Sequence, residues 1–354
     1  MTARVLSIDA SNVTSGGVHT NLRELLARAD NSSFQRLVVF CGSDQESLFP
    51  IVPKNVNLFF DPKLSAIRSH NIEHNGALST LFGLWRINRW RQKVLPHRIR
   101  ECGATTHFAP NTLLPRSLPT HVDTVVASHN MLPFDRKEAA RYGLGLQRIR
   151  LFMLRWYQTD SLRRARRIIF LSEYAKQIIA SSTGIDLETT PNTVVHNGAD
   201  LDWLSPCPHR IEIRACSYQN HAPFNLVYVS NYEPYKHHIK LIQAVDLLRR
   251  TRKVDIRLHC AGWGNAKTLQ RITRLIGKLD LQGVINIHGF LMSEELLALY
   301  QLADLFVFPS SCENCPTILA EAMAIGLPIA CSDMEPMREI TGGCAEYFDP
   351  TNHY

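Results

Sequence analysis

Residues 305–329, LFVFPSSCENCPTILAEAMAIGLPI, constrain the fold of this chain more than any other stretch. They predict in order a strand, a loop, a helix and a second strand, which are residues 305–308, 309–315, 317–325 and 327–331. Pro316 is expected as the first helical residue, where its missing N–H is not needed, and Gly326 with Pro328 ends the helix. In sheets built from such units, ligands bind beyond the carboxyl ends of the strands.

Two carboxylates mark this stretch. Glu313 lies in the predicted loop, and Glu321 lies on the predicted helix, one turn after Thr317 and on the same face. Free N–H groups at a helix start favour an anionic group such as a phosphate. A ligand with phosphates and hydroxyls could therefore meet N–H donors at its anionic part and carboxylates at its hydroxyls. Taken alone, the two positions are more typical of solvated glutamates.

The rest of the chain repeats the same alternation of short apolar runs and amphipathic helical segments. Further strands are predicted at residues 5–10, 37–41, 56–60, 105–109, 124–127, 167–172, 226–229, 256–260 and 284–288. A helix is expected at residues 294–303 with Ser293 as its N-cap. Such alternation is typical of parallel, doubly wound α/β sheets.

The length of the chain favours two domains. At 354 residues it exceeds what one hydrophobic core usually serves. Residues 205–223 are rich in proline and polar residues and form the expected linker, which gives an N-terminal domain at 1–205 and a C-terminal domain at 206–354. The C-terminal domain is expected to lack its final helices, because the sequence stops soon after its last predicted strand.

Composition and charge narrow the cellular setting. The chain has 45% hydrophobic and 20% charged residues, as in soluble globular proteins, and we expect neither a signal peptide nor a membrane-spanning helix. Nine cysteines without a regular framework favour reduced thiols in the cytosol. Cys312 and Cys315 form a single CxxC, for which two incidental small residues are a better interpretation than zinc or redox chemistry.

The net charge of +7 is concentrated in two segments, residues 86–100 and 148–167, which also contain tryptophans. A solvated basic face is the ordinary interpretation, and attraction to anionic lipid headgroups or to a diphosphate-linked acceptor is the functional one. We find no helix-turn-helix, zinc-finger or RNA-binding signature beside the charge, so nucleic acid is not an expected partner.

Three further positions could contact a ligand. Gly16-Gly17 precede a predicted helix, where the backbone can approach a ligand closely. His129 follows the strand at 124–127, and Lys236 stands at the start of a helix after the strand at 226–229. Each signal is weak by itself. Gly16-Gly17 are equally typical of a turn, His129 of a structural histidine, and Lys236 of a solvated lysine.

Together these motifs resemble the retaining glycosyltransferases of family 4, which have the GT-B fold of two Rossmann-like domains facing across a cleft. The match rests on ADLFVFPS, then PSSCENCPTILAEAMAIGLPIACSD with its two glutamates, and on SHNMLPFD and VVHNGAD. The resemblance implies that the N-terminal domain lies on the acceptor side and that the C-terminal domain binds a nucleotide sugar.

The resemblance also implies a role for each candidate residue. Glu313, His129 and Lys236 become the catalytic candidates, with Glu313 and His129 beside the transferred sugar and Lys236 on the diphosphate. Glu321 would hold the ribose hydroxyls. The other donor-binding candidates are Asn231, Asn314, Cys315, Pro316, Thr317, Gly16, Gly17, Gly289 and Phe290. One departure concerns Ser230-Asn231, which stand where family members usually carry a Gly-Arg pair, so one expected cation is replaced by a neutral amide. Asn197-Gly198 are expected to be structural turn residues.

The expected activity is transfer of a hexose from a nucleotide-diphosphate sugar to a saccharide acceptor, including a lipid-linked one, in polysaccharide or lipopolysaccharide biosynthesis. The resemblance implies retention of configuration and no metal, and no cofactor besides the donor substrate is expected. The expected location is cytoplasmic and peripheral on the inner face of the membrane. The alternatives are a non-catalytic nucleotide-sugar binding protein and an epimerase or hydrolase that acts on the donor alone.

Overall fold

The computed structural model describes residues 4–13, 17–49, 52–65, 77–200, 204 and 223–352. The chain forms two compact units, Met1–His196, called unit 1, and Asn197–Tyr354, called unit 2. The boundary expected between residues 205 and 206 and nearly all of the expected linker lie outside the described residues.

Unit 1 is built on a parallel sheet. Its strands are β1 (Val5–Asp9), β2 (Arg36–Cys41), β3 (Val56–Phe60), β4 (Thr106–Ala109), β5 (Asp123–Ser128), β6 (Arg167–Phe170) and β7 (Asn192–Val194). Its helices are α1 (Gly17–Ala27), α2 (Ala77–Lys93), α3 (Leu95–Glu101), α4 (Arg136–Ala140), α5 (Leu146–Arg164) and α6 (Glu173–Thr183). The strand order is β3-β2-β1-β4-β5-β6-β7, and every pair is parallel.

Alternate residues of the central strands of unit 1 enter separate hydrophobic clusters. On β1, Leu6 and Ile8 join one cluster, while Val5 joins the other. Val39 and Val38 on β2 are divided in the same way. Successive side chains of a strand point to opposite faces, so both faces of the sheet are covered, as a doubly wound sheet requires.

Unit 2 has the same architecture. Its strands are β8 (Phe224–Val229), β9 (Ile256–Ala261), β10 (Ile285–Gly289), β11 (Leu305–Phe308), β12 (Ile329–Ser332) and β13 (Glu346–Phe348). Its helices are α7 (His238–Arg252), α8 (Ala266–Lys278), α9 (Ser293–Leu302), α10 (Thr317–Ala324) and α11 (Glu335–Thr341). The parallel strands follow the order β10-β9-β8-β11-β12-β13 around one large core.

Each sheet reverses its winding direction once. The chain runs outward from β1 to β3 and returns to β4 on the other side of β1, and it does the same from β8 to β10 and back to β11. Such topological switch points leave a crevice at the carboxyl ends of the two central strands, where α/β sheets bind ligands. The two crevices are therefore at the ends of β1 and β4 and at the ends of β8 and β11.

Two predicted helix starts are wrong by one residue. Ser293 is the first residue of α9 and Met292 is its N-cap, because Met292 N–H donates to the Glu295 carboxylate at 2.9 Å. Pro316 is likewise not helical: its ψ of 109° is extended, and its carbonyl already accepts from Leu319 N–H at 3.1 Å, so α10 begins at Thr317.

Candidate functional site

The loop between β11 and α10 contains most of the predicted donor-site residues of unit 2. Glu313, Asn314, Cys315 and Pro316 are consecutive in it, and Thr317 opens the helix. Asn314, Cys315 and Pro316 are buried, and the Glu313 side chain is only 12% exposed. The solvated-loop interpretation of Glu313 is therefore wrong, because the loop packs this carboxylate against the unit.

The Glu313 carboxylate forms an ion pair with the Lys236 ammonium, whose side chain is 10% exposed. The Lys236 ammonium also lies 5.3 Å from the ring centroid of Phe308 and 5.4 Å from that of Tyr235, within the range of cation–π attraction. Lys236 follows β8 and Glu313 follows β11, so the pair spans the switch point of unit 2. A cation and a carboxylate thus stand together where this sheet favours a ligand.

Backbone geometry fixes Lys236 in this position. Residues 234–236 form a short 3₁₀ helix, and His237 adopts a left-handed conformation with φ of 51° before α7 begins. The Tyr228 hydroxyl donates to the Lys236 carbonyl at 2.8 Å, and His237 Nε2 lies 2.7 Å from the Ser311 hydroxyl. The Tyr228 bond therefore ties Lys236 to its own strand, and the His237–Ser311 contact joins the loop after β8 to the loop after β11.

Glu321 is half-buried on α10 and accepts a hydrogen bond from the buried Tyr300 hydroxyl at 3.0 Å. Burial raises the pKa of Glu321 to about 7, the Tyr300 hydrogen bond acts to lower it, and the negative charge of Asp200 acts to raise it. Glu321 is therefore not an ordinary solvated helix residue, since its ionisation falls near neutral pH.

Asn197 supports the donor loop, a contact that sequence reasoning missed. Its side-chain amide donates to the Cys315 carbonyl at 2.7 Å and lies 3.5 Å from the Thr317 hydroxyl. Its backbone N–H points to the Cys315 sulfur at 3.1 Å. Asn197 therefore holds Cys315 and Thr317 in place at the start of α10, in addition to its predicted role in a turn. Only the three-dimensional structure reveals these contacts.

The remaining unit 2 candidates stand near the same edge of the sheet. Asn231 is exposed after β8, and its side chain hydrogen-bonds Tyr235. Gly289 ends β10 with a φ of 71°, and its carbonyl accepts from Gly262 N–H at 2.6 Å. Phe290 follows with 66% of its surface exposed. Among the described residues, no hydrogen bond, ion pair or ring contact joins Gly289 or Phe290 to Lys236 or Glu313.

Unit 1 carries the other candidates. His129 directly follows β5 and is half-buried, and burial lowers its pKa to about 4, so the imidazole is neutral at physiological pH. Gly17 is the first residue of α1, and Gly16 lies outside the described residues. His129 thus lies at the carboxyl end of β5, and Gly17 lies at the head of a helix, as the sequence predicted.

A buried polar network spans the switch point of unit 1, and sequence reasoning did not identify it. Arg91 from α2 donates to the Asp9 carboxylate at 2.5 Å, to the Ser11 hydroxyl at 2.8 Å and to the Asn12 amide oxygen at 2.9 Å. Asn111, which follows β4, donates to the same Asn12 oxygen at 3.1 Å. Arg91 is thus a structural ion-pair residue and not part of a solvated basic face.

The described residues contain neither a metal-binding cluster nor a membrane-spanning helix. Within them, no three His, Cys, Asp or Glu side chains are grouped so that they could hold a metal ion. In the same part of the chain, every helix is too short or too polar to span a bilayer. Metal independence stays a prediction.

Comparisons with known proteins agree with this architecture. The family model "Glycosyltransferase Family 4" matches residues 15–203, and "Glycosyl transferases group 1" matches residues 210–343. O-antigen chain mannosyltransferase B of Escherichia coli is 25% identical over 195 residues, which are 54% of this chain and 50% of the relative. The serotype-specific mannosyltransferase WbdA of E. coli is 28% identical over 228 residues, 64% of this chain and 27% of the relative. The chain thus spans half or less of these two relatives.

A solved structure is similar over both units. Anabaena HepE in complex with UDP-glucose superposes with a TM-score of 0.66 and 15% identity, covering 99% of this chain and 86% of that chain. The likeness, with the two parallel sheets, confirms the GT-B fold. The chain belongs to the family 4 glycosyltransferases.

Proposed function

We propose that this protein transfers a hexosyl group, with retention and without a metal, from a nucleotide-diphosphate sugar to a saccharide hydroxyl. The observation that carries the proposal is the Lys236–Glu313 pair at the switch point of unit 2. A sugar diphosphate has anionic oxygens next to hydroxyls, and this site offers an ammonium next to a carboxylate. Because both of these relatives are mannosyltransferases, mannose is the first sugar to test.

The reaction needs charge stabilisation more than covalent chemistry. The bond from the anomeric carbon to the distal phosphate oxygen breaks, the acceptor oxygen bonds to that carbon, and the acceptor proton leaves on the nucleoside diphosphate. Lys236 and the N–H groups at the start of α10 stabilise the negative charge on the departing diphosphate, an effect that usually dominates such catalysis. The Glu313 carboxylate positions the sugar by accepting from sugar hydroxyls, and the Glu321 carboxylate positions the ribose by accepting from ribose hydroxyls.

The neutral His129 imidazole serves as a hydrogen-bond partner of the sugar in this proposal, because burial keeps it uncharged. Gly17, the first residue of α1, contacts the acceptor in this proposal. The acceptor is a saccharide of a cell-surface polysaccharide or lipopolysaccharide, in keeping with the O-antigen relative, and it is lipid-linked at the inner face of the cytoplasmic membrane.

Turnover of defined donors tests this proposal. The protein is incubated with GDP-mannose, UDP-glucose or ADP-glucose, with octyl mannoside or octyl glucoside as acceptor or with none, and with or without EDTA. We expect one donor to be consumed only with acceptor, unchanged by EDTA, to give a product with the donor's anomeric configuration by NMR. Lys236→Met should reduce kcat at least about 100-fold. Lys267→Met, which changes an exposed lysine of the same unit, should not.

Other outcomes would overturn the proposal. Donor consumption without acceptor would indicate a hydrolase or epimerase. Saturable donor binding without turnover would indicate a binding protein, for which the neutral Asn231 in place of the family's arginine is the supporting observation. Inversion of the anomeric configuration or loss of activity with EDTA would refute those parts of the mechanism.

A further inference from the structure

Helix α5 of unit 1 exposes an apolar stripe made of Ile149, Phe152, Met153 and Trp156. These side chains are 50%, 71%, 40% and 53% exposed. Their spacing of three and four residues places all four on one face of the helix. Leu144, in the turn before α5, is exposed as well.

The opposite side of α5 already supplies its share of the core. Leu151, Gln158, Ser161 and Leu162 are buried, and the Ser161 hydroxyl accepts from Leu114 N–H at 3.0 Å. The helix is therefore docked through one face, and the apolar stripe is a second face. Four large apolar side chains in a row exceed the singly scattered exposed residues of an ordinary surface and mark an interaction site.

Positive charge surrounds the apolar stripe. Residues 135–164 contain eight Lys and Arg against three Asp and Glu. Arg136, Lys137 and Arg148 are exposed, and the Arg116 guanidinium lies 5.3 Å from the centroid of the Trp156 ring. Burial lowers the pKa of Arg155, and the positive charge of Arg136 acts in the same direction.

We propose that the apolar stripe is a docking surface for an anionic lipid bilayer. Helices that lie in the membrane interface place Trp and Phe at the acyl boundary and flank them with Lys and Arg at headgroup level. Arginine stems can cover apolar surface while their charged ends reach phosphate oxygens. A second copy of this chain would bring the same positive charges face to face, so charge favours lipid over self-association. The proposal stands apart from the proposed catalysis, because lipid binding by unit 1 does not require turnover in unit 2.

Vesicle sedimentation tests the proposal with the full chain. We expect binding to vesicles of phosphatidylglycerol and phosphatidylcholine, weak binding to phosphatidylcholine alone, and loss of binding as salt is raised. The double variant F152S/W156S should lower the partition coefficient at least about tenfold, because two aromatic side chains no longer enter the interface. A control variant, L248S/L302S, removes two leucines of unit 2 that are 42% and 49% exposed, and it should bind as the wild type does.

Three results would overturn the proposal. The first is equal binding of F152S/W156S and wild type to anionic vesicles, with both variants shown to be folded by circular dichroism. The second is absence of binding to any vesicle. The third is conversion of a dimer to a monomer by F152S/W156S in size-exclusion chromatography without a change in vesicle binding, which would assign the apolar stripe to self-association.

Discussion

Replacing Glu321 with Gln should remove a pH dependence of donor binding that the wild type shows between pH 6 and pH 8. The pKa of about 7 for Glu321 falls in the middle of this range. The ionised fraction should rise from roughly one in eleven at pH 6 to roughly ten in eleven at pH 8. If only the carboxylate accepts from the ribose hydroxyls, donor affinity should rise about tenfold across the range.

Tyr300→Phe should move the same profile to higher pH. The Tyr300 hydroxyl donates to the Glu321 carboxylate and thereby favours its ionised form. A hydrogen bond to a charged group contributes about 1.5–3 kcal/mol, which corresponds to roughly one or two pH units in the midpoint. Affinity should therefore fall severalfold at pH 7 and approach the wild-type value at high pH.

Calorimetry with an intact nucleotide sugar measures these affinities. A free nucleoside diphosphate is unsuitable, because its terminal phosphate titrates in the same range. Thermal unfolding gives a control through the difference in stability between the two proteins. Because the pKa of Glu321 is raised in the folded state, its contribution to wild-type stability declines as pH rises from 4.5 to about 7, whereas buried neutral histidines such as His129 act in the opposite direction in both proteins. The stability of the wild type relative to Glu321→Gln should therefore fall across this range. A flat wild-type affinity profile, or an unchanged slope in Glu321→Gln, would refute the reasoning.

Three further predictions follow from the other contacts. Lys236→Met should lower the free energy of unfolding by about 3–5 kcal/mol, because it leaves the Glu313 carboxylate unpaired. The double variant K236M/E313Q should recover part of this stability in denaturant titration but should not recover activity in turnover assays. Asn197→Ala should weaken donor binding about tenfold through a loosened loop, measured by calorimetry. Arg91→Met should leave the Asp9 carboxylate without its cation and lower the free energy of unfolding by about 3–5 kcal/mol, which should appear as faster hydrogen exchange in β1. The double variant R91M/D9N should recover part of this loss.

The contrary results are equally concrete. An additive K236M/E313Q double mutant would mean that the two side chains do not interact. Unchanged donor affinity in Asn197→Ala would make this residue a turn residue only. Unaltered hydrogen exchange in Arg91→Met would remove Arg91 from the stability of unit 1.

Local patterns in the sequence predicted most of the fold. The strands at Val56–Phe60 and Leu305–Phe308 have the predicted bounds, because apolar runs bounded by breakers are local signals. Helix starts were less predictable. Pro316 and Ser293 are both favourable at a helix start, and the choice between cap and first turn depends on backbone angles that composition does not determine.

The partners within the candidate site could not be predicted. Lys236 and Glu313 were each identified by resemblance, but they are 77 positions apart, and only the adjacency of β8 and β11 joins them. Arg91 looked like one member of a basic surface segment, yet it is buried against Asp9, 82 positions away. Such contacts depend on which strands and helices are neighbours in the fold, and local sequence patterns do not specify this.

The loop that carries Glu313 also contains a cysteine, Cys315, whose reaction rate with alkylating reagents depends on opening of the loop. Cys315 is buried, and burial raises the pKa of its thiol to about 11 although the Asn197 N–H bond acts in the opposite direction. Alkylating reagents attack the thiolate, so Cys315 should react only in molecules whose loop has opened. Cys344 is exposed on the same unit and sets the reference rate. The ratio of the two labelling rates, followed by mass spectrometry, therefore measures how often the loop opens, without a fluorophore or an introduced residue.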